Sequence, residues 1–478
     1  MKKILIFLTS LILFIELLDA TILYSCLVPV AHDFGITLTR MTLPILSYVV
    51  GTCLLIPAVS WLSSRWDPWN IVVTALIIFT ITSVLCGMSH TVFYFSIYRF
   101  LQGISISICS ATITIILLSV CSSDEIVNAM GLINIPALFG TAIGPLCGAA
   151  LSYYLSWRFA FFINVPIGIL LIFILSDLKS KAQFNKVQSE RFDYKGFFLV
   201  SLFLILFSIG IDGISSAENA IFFIVAIAGI IFGIFYVLLW MNRQSENEIV
   251  KVNSILNLSV FKNSDFKLGA IVNMISRASM CGIPILLGII LQQAFSFSII
   301  KTSVYFAIIA VSGILAKLLS PFISRIGVRR VIVLSVCFTA SAIVFLSALS
   351  FWIKNGNLWL ICAFFGFSMS LLYTAMNSVV YLSLDSDEVS NASNIVSIIQ
   401  QFSIGLGVVF AVGGFHLLLA LHKIQLAFIG SAEIMSIYSI ICKSLAFLMC
   451  LNLVFAIRAS LNTSCIEQDK LRILAIEE

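Results

Sequence analysis

Ser123-Asp124-Glu125-Ile126-Val127-Asn128-Ala129 has a near copy at Ser386-Asp387-Glu388-Val389-Ser390-Asn391-Ala392, 263 residues further along the chain. Both stretches are acidic islands between long apolar runs. Ser64-Arg65 and Ser324-Arg325 recur at an offset of 260, each just ahead of an Ile/Val run. Gly103 and Gly366, each before a Ser-rich stretch, again differ by 263. One such match is weak. Three at nearly one offset indicate a parallel internal repeat.

The repeated material is apolar. Of 478 residues, 60% are hydrophobic and 10% are charged, where a soluble domain carries about 25% charged residues. This excludes a soluble enzyme, a disordered chain and a nucleic-acid binder. The net charge of +5 says little by itself. A helical span needs about 20 apolar residues. Runs between charged or turn-rich breaks predict fourteen spans: 5–29, 43–63, 70–88, 92–120, 129–151, 159–176, 196–212, 220–240, 266–294, 303–323, 331–350, 358–382, 392–418 and 435–457. Met1-Lys2-Lys3 and the apolar run after it imitate a signal peptide. There is no small-residue cleavage site, and Glu16 and Asp19 interrupt the run, so it reads as a retained first span. The twelve cysteines are scattered without a CxxC pair, and the four histidines show no metal-ligand spacing. Neither a metal nor an organic cofactor is expected.

Lysine and arginine orient the spans. With the N-terminus inside the cell, 18 basic residues fall on the cytoplasmic side, five on the other and four within spans. An even number of spans places both termini in the cytoplasm. The repeat pairs the first six spans with the last six. The expected organisation is a bundle at 1–176, linkers with two inserted spans at 177–265, a second bundle at 266–457 and a tail at 458–478. The fold class is an all-α membrane protein of two six-helix bundles plus two inserted helices. Parallel halves related by an axis along the membrane normal are a transporter design, with the substrate held between them near mid-depth.

Ionisable groups inside spans are costly unless they face water or a partner. Glu16 and Asp19 are three residues apart and share a helix face. Two carboxylates so close resist double ionisation, so the pair is suited to taking up and releasing a proton. Arg99, in span 4, is the expected counter-charge. A purely structural ion pair joining spans 1 and 4 is the alternative, and the two readings are compatible. In the second half, Arg277 lies deep in span 9. Lys317 and Lys443 lie nearer span ends, where snorkelling also accounts for them. Acid plus base in one half and base alone in the other suit an anionic or zwitterionic substrate, or a structural Arg277. Gln102, Asn134, Asn164, Asn273, Asn377, Gln400 and Gln401 are polar positions on inner spans. Of these, Gln102, Asn134, Asn377 and Gln401 join Arg277 and Lys317 as substrate-cavity candidates, although helix-to-helix hydrogen bonding is the ordinary use of such groups.

Several of these stretches resemble the major facilitator superfamily, and within it the fourteen-span drug:proton antiporters. The likeness covers nearly the whole chain. Leu18-Asp19-Ala20-Thr21-Ile22 is similar to the family's span 1 signature, with Tyr24 in place of its Asn and the Pro displaced to Pro29. Arg99-Phe100-Leu101-Gln102-Gly103 is similar to the span 4 motif whose Arg serves proton transfer. Gly140-Thr141-Ala142-Ile143-Gly144-Pro145-Leu146-Cys147-Gly148 resembles the span 5 antiporter motif and implies a hinge at Gly140, Gly144, Pro145 and Gly148. In the family this hinge marks exporters. Trp157-Arg158-Phe159 and Ile163-Asn164-Val165-Pro166 resemble the fourteen-span branch. Arg191-Phe192-Asp193, Arg277, Lys317 and Met376-Asn377 narrow the likeness to MdtD-type multidrug exporters.

The gating loops depart from the family pattern. Ser64 and Ser324 stand where an Asp is usual, leaving Arg65, Asp67, Arg325, Gly327 and Arg329 as gating candidates. The resemblance implies a proton-coupled exporter of drug-like compounds or amphiphilic, chelating metabolites, working by alternating access in a bacterial inner membrane. Its partners are the lipid bilayer, a small-molecule substrate and protons; nucleic acid is not expected, and a periplasmic adaptor is left open. An importer of the same fold is the alternative. A membrane enzyme lacks a reactive cluster here, and a non-transporting sensor lacks an output domain, because the longest cytoplasmic segments are too short to fold alone.

Overall fold

Helices account for every regular element among the described residues of the computed structural model. These are residues 2–36, 38–121, 123–181, 193–215, 231–238, 258–318, 328–381, 386–415 and 431–461, with residues 225, 228, 229 and 418. The chain divides into two compact units. Unit 1 is Met1–Leu256 with Phe297–Ser303, and unit 2 is Asn257–Ser296 with Val304–Glu478.

Unit 1 contains α1 (Lys2–Asp33), α2 (Thr42–Leu54), α3 (Ile56–Arg65), α4 (Pro68–Gly87), α5 (Val92–Ser119), α6 (Ser123–Tyr154), α7 (Phe159–Phe162), α8 (Asn164–Lys181) and α9 (Tyr194–Ser215). Unit 2 contains α10 (Ser264–Met280), α11 (Ile283–Gln293), α12 (Ile299–Leu318, which begins in the short segment assigned to unit 1), α13 (Val328–Ser347), α14 (Leu349–Lys354), α15 (Leu358–Tyr381), α16 (Ser386–Val408) and α17 (Ser431–Leu461). Nine spans among the described residues are long and apolar enough to cross a membrane. Their apolar residues run all round the helix, as in membrane spans. On α4 and α8, for example, Ile77, Ile78, Ile81, Leu170 and Phe173 are exposed while Val72, Leu76, Phe79, Leu171 and Leu175 are buried.

Three expected spans are each two helices. The run 43–63 divides at Leu55, 159–176 divides at Ile163, and 266–294 divides at Cys281-Gly282. A proline follows each break within the first turn of the new helix: Pro57, Pro166 and Pro284. There its missing N–H sacrifices no helical bond, whereas further inside it would remove one. The run 92–120, by contrast, is one helix. Ten of the 21 residues of the expected span 220–240 lie outside the described residues.

The duplication is visible in which helices pack together inside each unit. In unit 1, α1 packs on α6, α4 on α5, and α4 on α8; in unit 2, α10 packs on α16, α13 on α15, and α13 on α17. The repeated glycines make the same kind of contact. A Cβ at Gly103 would overlap the Tyr48 carbonyl of α2, and one at Gly366 would overlap the Ile309 carbonyl of α12. Ser370 adds a hydrogen bond of 2.7 Å to the Gly313 carbonyl across the second of these contacts.

Unit 1 is closed at the C-terminal end of α1 by Asp33. Its carboxylate accepts from Arg158 at 2.6 Å and from the Trp157 indole at 3.1 Å. Phe34, Phe95, Trp157 and Phe161 meet edge to face beneath it, with centroids 5.4 to 6.1 Å apart. Because both charged side chains reach solvent, Arg158→Ala is expected to cost no more than about 1 kcal/mol, and less in high salt. Unfolding midpoints at low and high ionic strength check this.

Candidate functional site

Asp19 lies at the middle of α1 and is fully buried. A carboxylate so placed must be surrounded by donors. One oxygen accepts from an Arg99 terminal amino group of α5 at 2.7 Å. The other accepts from Asn164 of α8 at 2.7 Å and from Gln102 of α5 at 3.1 Å. Gln102 also accepts from Arg99 at 2.8 Å and donates to Ser83 of α4 at 2.8 Å. The Arg99 guanidinium lies 4.0 Å from the Tyr48 ring centre of α2 and 5.6 Å from that of Phe161 on α7. Six helices thus enclose one ion pair. Arg99 Nε and the Asn164 amide oxygen keep no protein partner.

Glu16 and Asp19 take different partners. Glu16, one turn earlier on α1, is only partly buried. Its carboxylate faces the Ser110 hydroxyl of α5, and its backbone carbonyl accepts from Tyr48 at 3.3 Å. The donors that enclose Asp19 leave Glu16 outside. Shared helical spacing set a common face, but the neighbouring helices put different chemistry beside each acid. Gln102, a cavity candidate by sequence, belongs to the Asp19 enclosure. Tyr48, Ser83 and Phe161 had no signal of their own in the sequence. Only Gly51, one turn after Tyr48, hints at the close α2–α5 crossing, since a Cβ there would overlap the Phe100 carbonyl.

The glycine motif of α6 lies against the same stretch of α1. A Cβ at Gly140 would lie 2.5 Å from the Phe14 carbonyl oxygen, and one at Gly148 would lie 2.5 Å from that of Ile22. One at Gly144 would overlap the Thr21 hydroxyl. Ser25 donates to the Pro145 carbonyl at 2.6 Å, and Cys26 to the Gly148 carbonyl at 3.4 Å. Small residues permit this close approach, so α6 is seated directly on the helix that carries Asp19.

The gating candidates are spread out. Arg65 is exposed at the end of α3, with its guanidinium 5.4 Å from the Trp61 ring centre. Asp67 caps α4 by accepting from the Trp69 amide at 3.4 Å. Asn caps as well as Asp does, while Ala removes the cap at a cost of about 1 kcal/mol. Asp67→Asn is therefore expected to keep wild-type stability and flux, and Asp67→Ala to lower the unfolding midpoint. A flux defect in Asp67→Asn would instead assign the charge to gating. Arg325 and Gly327 lie outside the described residues, as do the side chains of Arg329, Asn134 and Gln401.

In unit 2, Arg277 of α10 is buried and donates from Nε to Asn273 at 2.8 Å. Asn273 donates to Asn377 of α15 at 3.3 Å, and Gln400 of α16 donates to the same Asn377 oxygen at 3.0 Å. The guanidinium lies 4.3 Å from the Tyr373 ring centre. Lys317, on α12, is partly buried and within electrostatic reach of Arg277. Lys443 is exposed. No group of three or more His, Cys, Asp or Glu side chains suited to a metal occurs among the described residues.

Apolar spans, duplicated helix packing and an ion pair sunk among helices define a multi-pass membrane protein. Residues 9–216 match the sequence profile of the Major Facilitator Superfamily. The chain is 28% identical over 406 residues to a Haemophilus influenzae protein named for transport, HsrA, covering 83% of this chain and 84% of that one. It is 25% identical over 442 residues to an Escherichia coli protein named for multidrug resistance, MdtD, covering 92% and 90%. The fold is similar to that of a bacterial homologue of the human lysosomal transporter Spinster in its inward-facing, unoccupied conformation, at a TM-score of 0.63 and 15% identity, covering 96% and 97% of the two chains. The chain is a transporter whose residues 9–216 carry the profile of that superfamily.

Proposed function

We propose that this transporter is a proton-driven exporter of small molecules in a bacterial inner membrane, with both termini cytoplasmic. The observation that carries the reading is the Asp19–Arg99 pair, enclosed at 2.7 Å with no exposed surface on Asp19. A pair held this way is stable while both partners are charged. Protonation of Asp19 removes its charge and leaves Arg99 to its neutral neighbours, so the contact loosens. Proton arrival from outside then favours substrate release outward, and proton loss to the inside restores the pair. The glycine seam supports the same reading. It joins α6 to the segment of α1 that carries Asp19, so a change at the pair is felt along α6. Each charge moved adds about 2.3 kcal/mol per 100 mV of membrane potential. No resident cofactor is used; the proton gradient supplies the energy. The substrates proposed are drug-like compounds or amphiphilic, chelating metabolites.

The test is flux in proteoliposomes with an imposed pH gradient, using lipophilic cations and metal-chelating anions side by side. Substrate movement opposite to proton movement is expected, and it should collapse when a protonophore dissipates the gradient. Movement in the same direction as protons would make the chain an importer of this fold. Flux indifferent to the protonophore would end the proton-coupled reading.

A further inference from the structure

Unit 1 gathers basic and aromatic side chains where α3 ends and α9 begins. Arg65 is the last residue of α3, and Tyr194 is the first of α9. The Trp61 ring, one turn before Arg65, joins them. Its centre lies 5.4 Å from the Arg65 guanidinium and 6.5 Å from that of the Tyr194 ring, edge to face. Lys195 follows Tyr194 and is exposed, as Arg65 is. Neither cation is bonded to a carboxylate among the described residues. The acids nearest to them in sequence cap helices instead. Asp67 accepts from the Trp69 amide at 3.4 Å, and the buried Asp193 accepts from the Gly196 amide at 2.9 Å. Arg65 therefore keeps its planar fork for an outside anion, with Trp61 limiting the directions it can take.

The rings around these cations are open. Trp66 is 60% exposed, Tyr194 67%, and Phe198, one turn along α9, 60%. Ile209 is exposed further along. Tyr194, Phe198 and Ile209 share one face of α9 by helical spacing. On an apolar helix of a membrane protein such a stripe meets acyl chains, while Trp and Tyr rings beside Arg and Lys mark headgroup depth. A soluble anion would answer the two cations and leave the rings uncovered. A phospholipid answers both, with its phosphate at the cations and a chain along the stripe. A zwitterionic headgroup carries an ammonium that Arg65 and Lys195 repel, so a net negative headgroup fits best.

We infer that the edge formed by α3 and α9 binds an anionic phospholipid, its phosphate held by Arg65 and Lys195, its glycerol against Trp61 and Tyr194, and a chain along Phe198 and Ile209. On the topology proposed above, this is the cytoplasmic leaflet. Lipid binding here requires no proton movement, so its outcome is separate from that of the proton-coupled reading. The full-length protein in detergent is given equal amounts of phosphatidylglycerol and phosphatidylethanolamine with matched chains, and native mass spectrometry counts the adducts. Phosphatidylglycerol should be preferred. Each cation beside an anionic headgroup is worth about a fivefold preference, so Arg65→Gln and Lys195→Gln should each lower the ratio by about that factor, and Arg65→Lys should recover part of it. Lys354→Gln, an exposed cation of unit 2, should leave it unchanged. Excess inorganic phosphate or glycerol 3-phosphate should not displace the lipid. A phosphatidylglycerol carrying a diazirine near its headgroup should label the wild-type peptides that hold Trp61 and Tyr194, a measurement that needs no variant. Equal binding of the two lipids, an unchanged ratio in Arg65→Gln, an equal fall in Lys354→Gln, displacement by the soluble phosphates, or labelling confined to other peptides would each overturn the site.

Discussion

Asp19→Asn is expected to reduce gradient-driven flux to the level of empty liposomes. The substitution preserves shape but removes the carboxylate proposed to take up and release the proton. It also leaves Arg99 as an uncompensated cation among Tyr48, Phe161 and Gln102. Removing one partner of a buried pair costs about 3–5 kcal/mol. The denaturation midpoint should therefore fall, and the double variant Asp19→Asn/Arg99→Gln should recover part of it, because both charges are then gone. Substrate counterflow, which requires no proton movement, separates loss of coupling from loss of fold. A single Asn variant that still moves substrate uphill would show that the proton is carried elsewhere, and Glu16, beside Ser110, is then the first residue to test.

The second large effect is expected at the α1–α6 seam. A methyl group at Gly140 meets the Phe14 carbonyl at 2.5 Å, and a carbonyl of a packed helix cannot rotate away as a flexible side chain does. Overpacking of this kind costs about 1–3 kcal/mol. Gly140→Ala should lower both the yield of monodisperse protein and the flux per molecule, and Gly144→Val should do so more severely, since Thr21 and the Leu18 carbonyl both crowd that position. Leu146, on the exposed face of the same helix, provides the control: Leu146→Ala should change neither. Size-exclusion profiles and flux per protein are the measurements. Normal behaviour of Gly140→Ala would remove the hinge proposed for α6.

Much of the site was legible before any coordinates. Charges are so rare inside these spans that Asp19 and Arg99 stood out as partners, and the structure places them in contact. The distinction between Asp19 and Glu16 was not legible. Spacing along one helix says which residues share a face, but it says nothing about which neighbours that face meets. Asn164 lies 145 residues from Asp19 and completes its enclosure, yet an Asn near the start of a span is an ordinary packing residue by sequence. Tyr48, Ser83 and Phe161 were similarly ordinary. Arg277 was visible as a deep cation, but its bond to Asn273, and the Asn377 amide that Asn273 shares with Gln400, depend on how α10, α15 and α16 come together.

The amino-acid order alone determined the solvent and the architecture. Hydrocarbon tolerates only backbones that satisfy themselves internally, so long apolar runs had to be helices, and motifs recurring at one offset had to mark a duplication. Tertiary structure decided the partners: which acid is enclosed by donors, which arginine has a carboxylate and which prolines end a helix. Those outcomes depend on side chains brought from several helices into one small volume, and that convergence is not written in any single span.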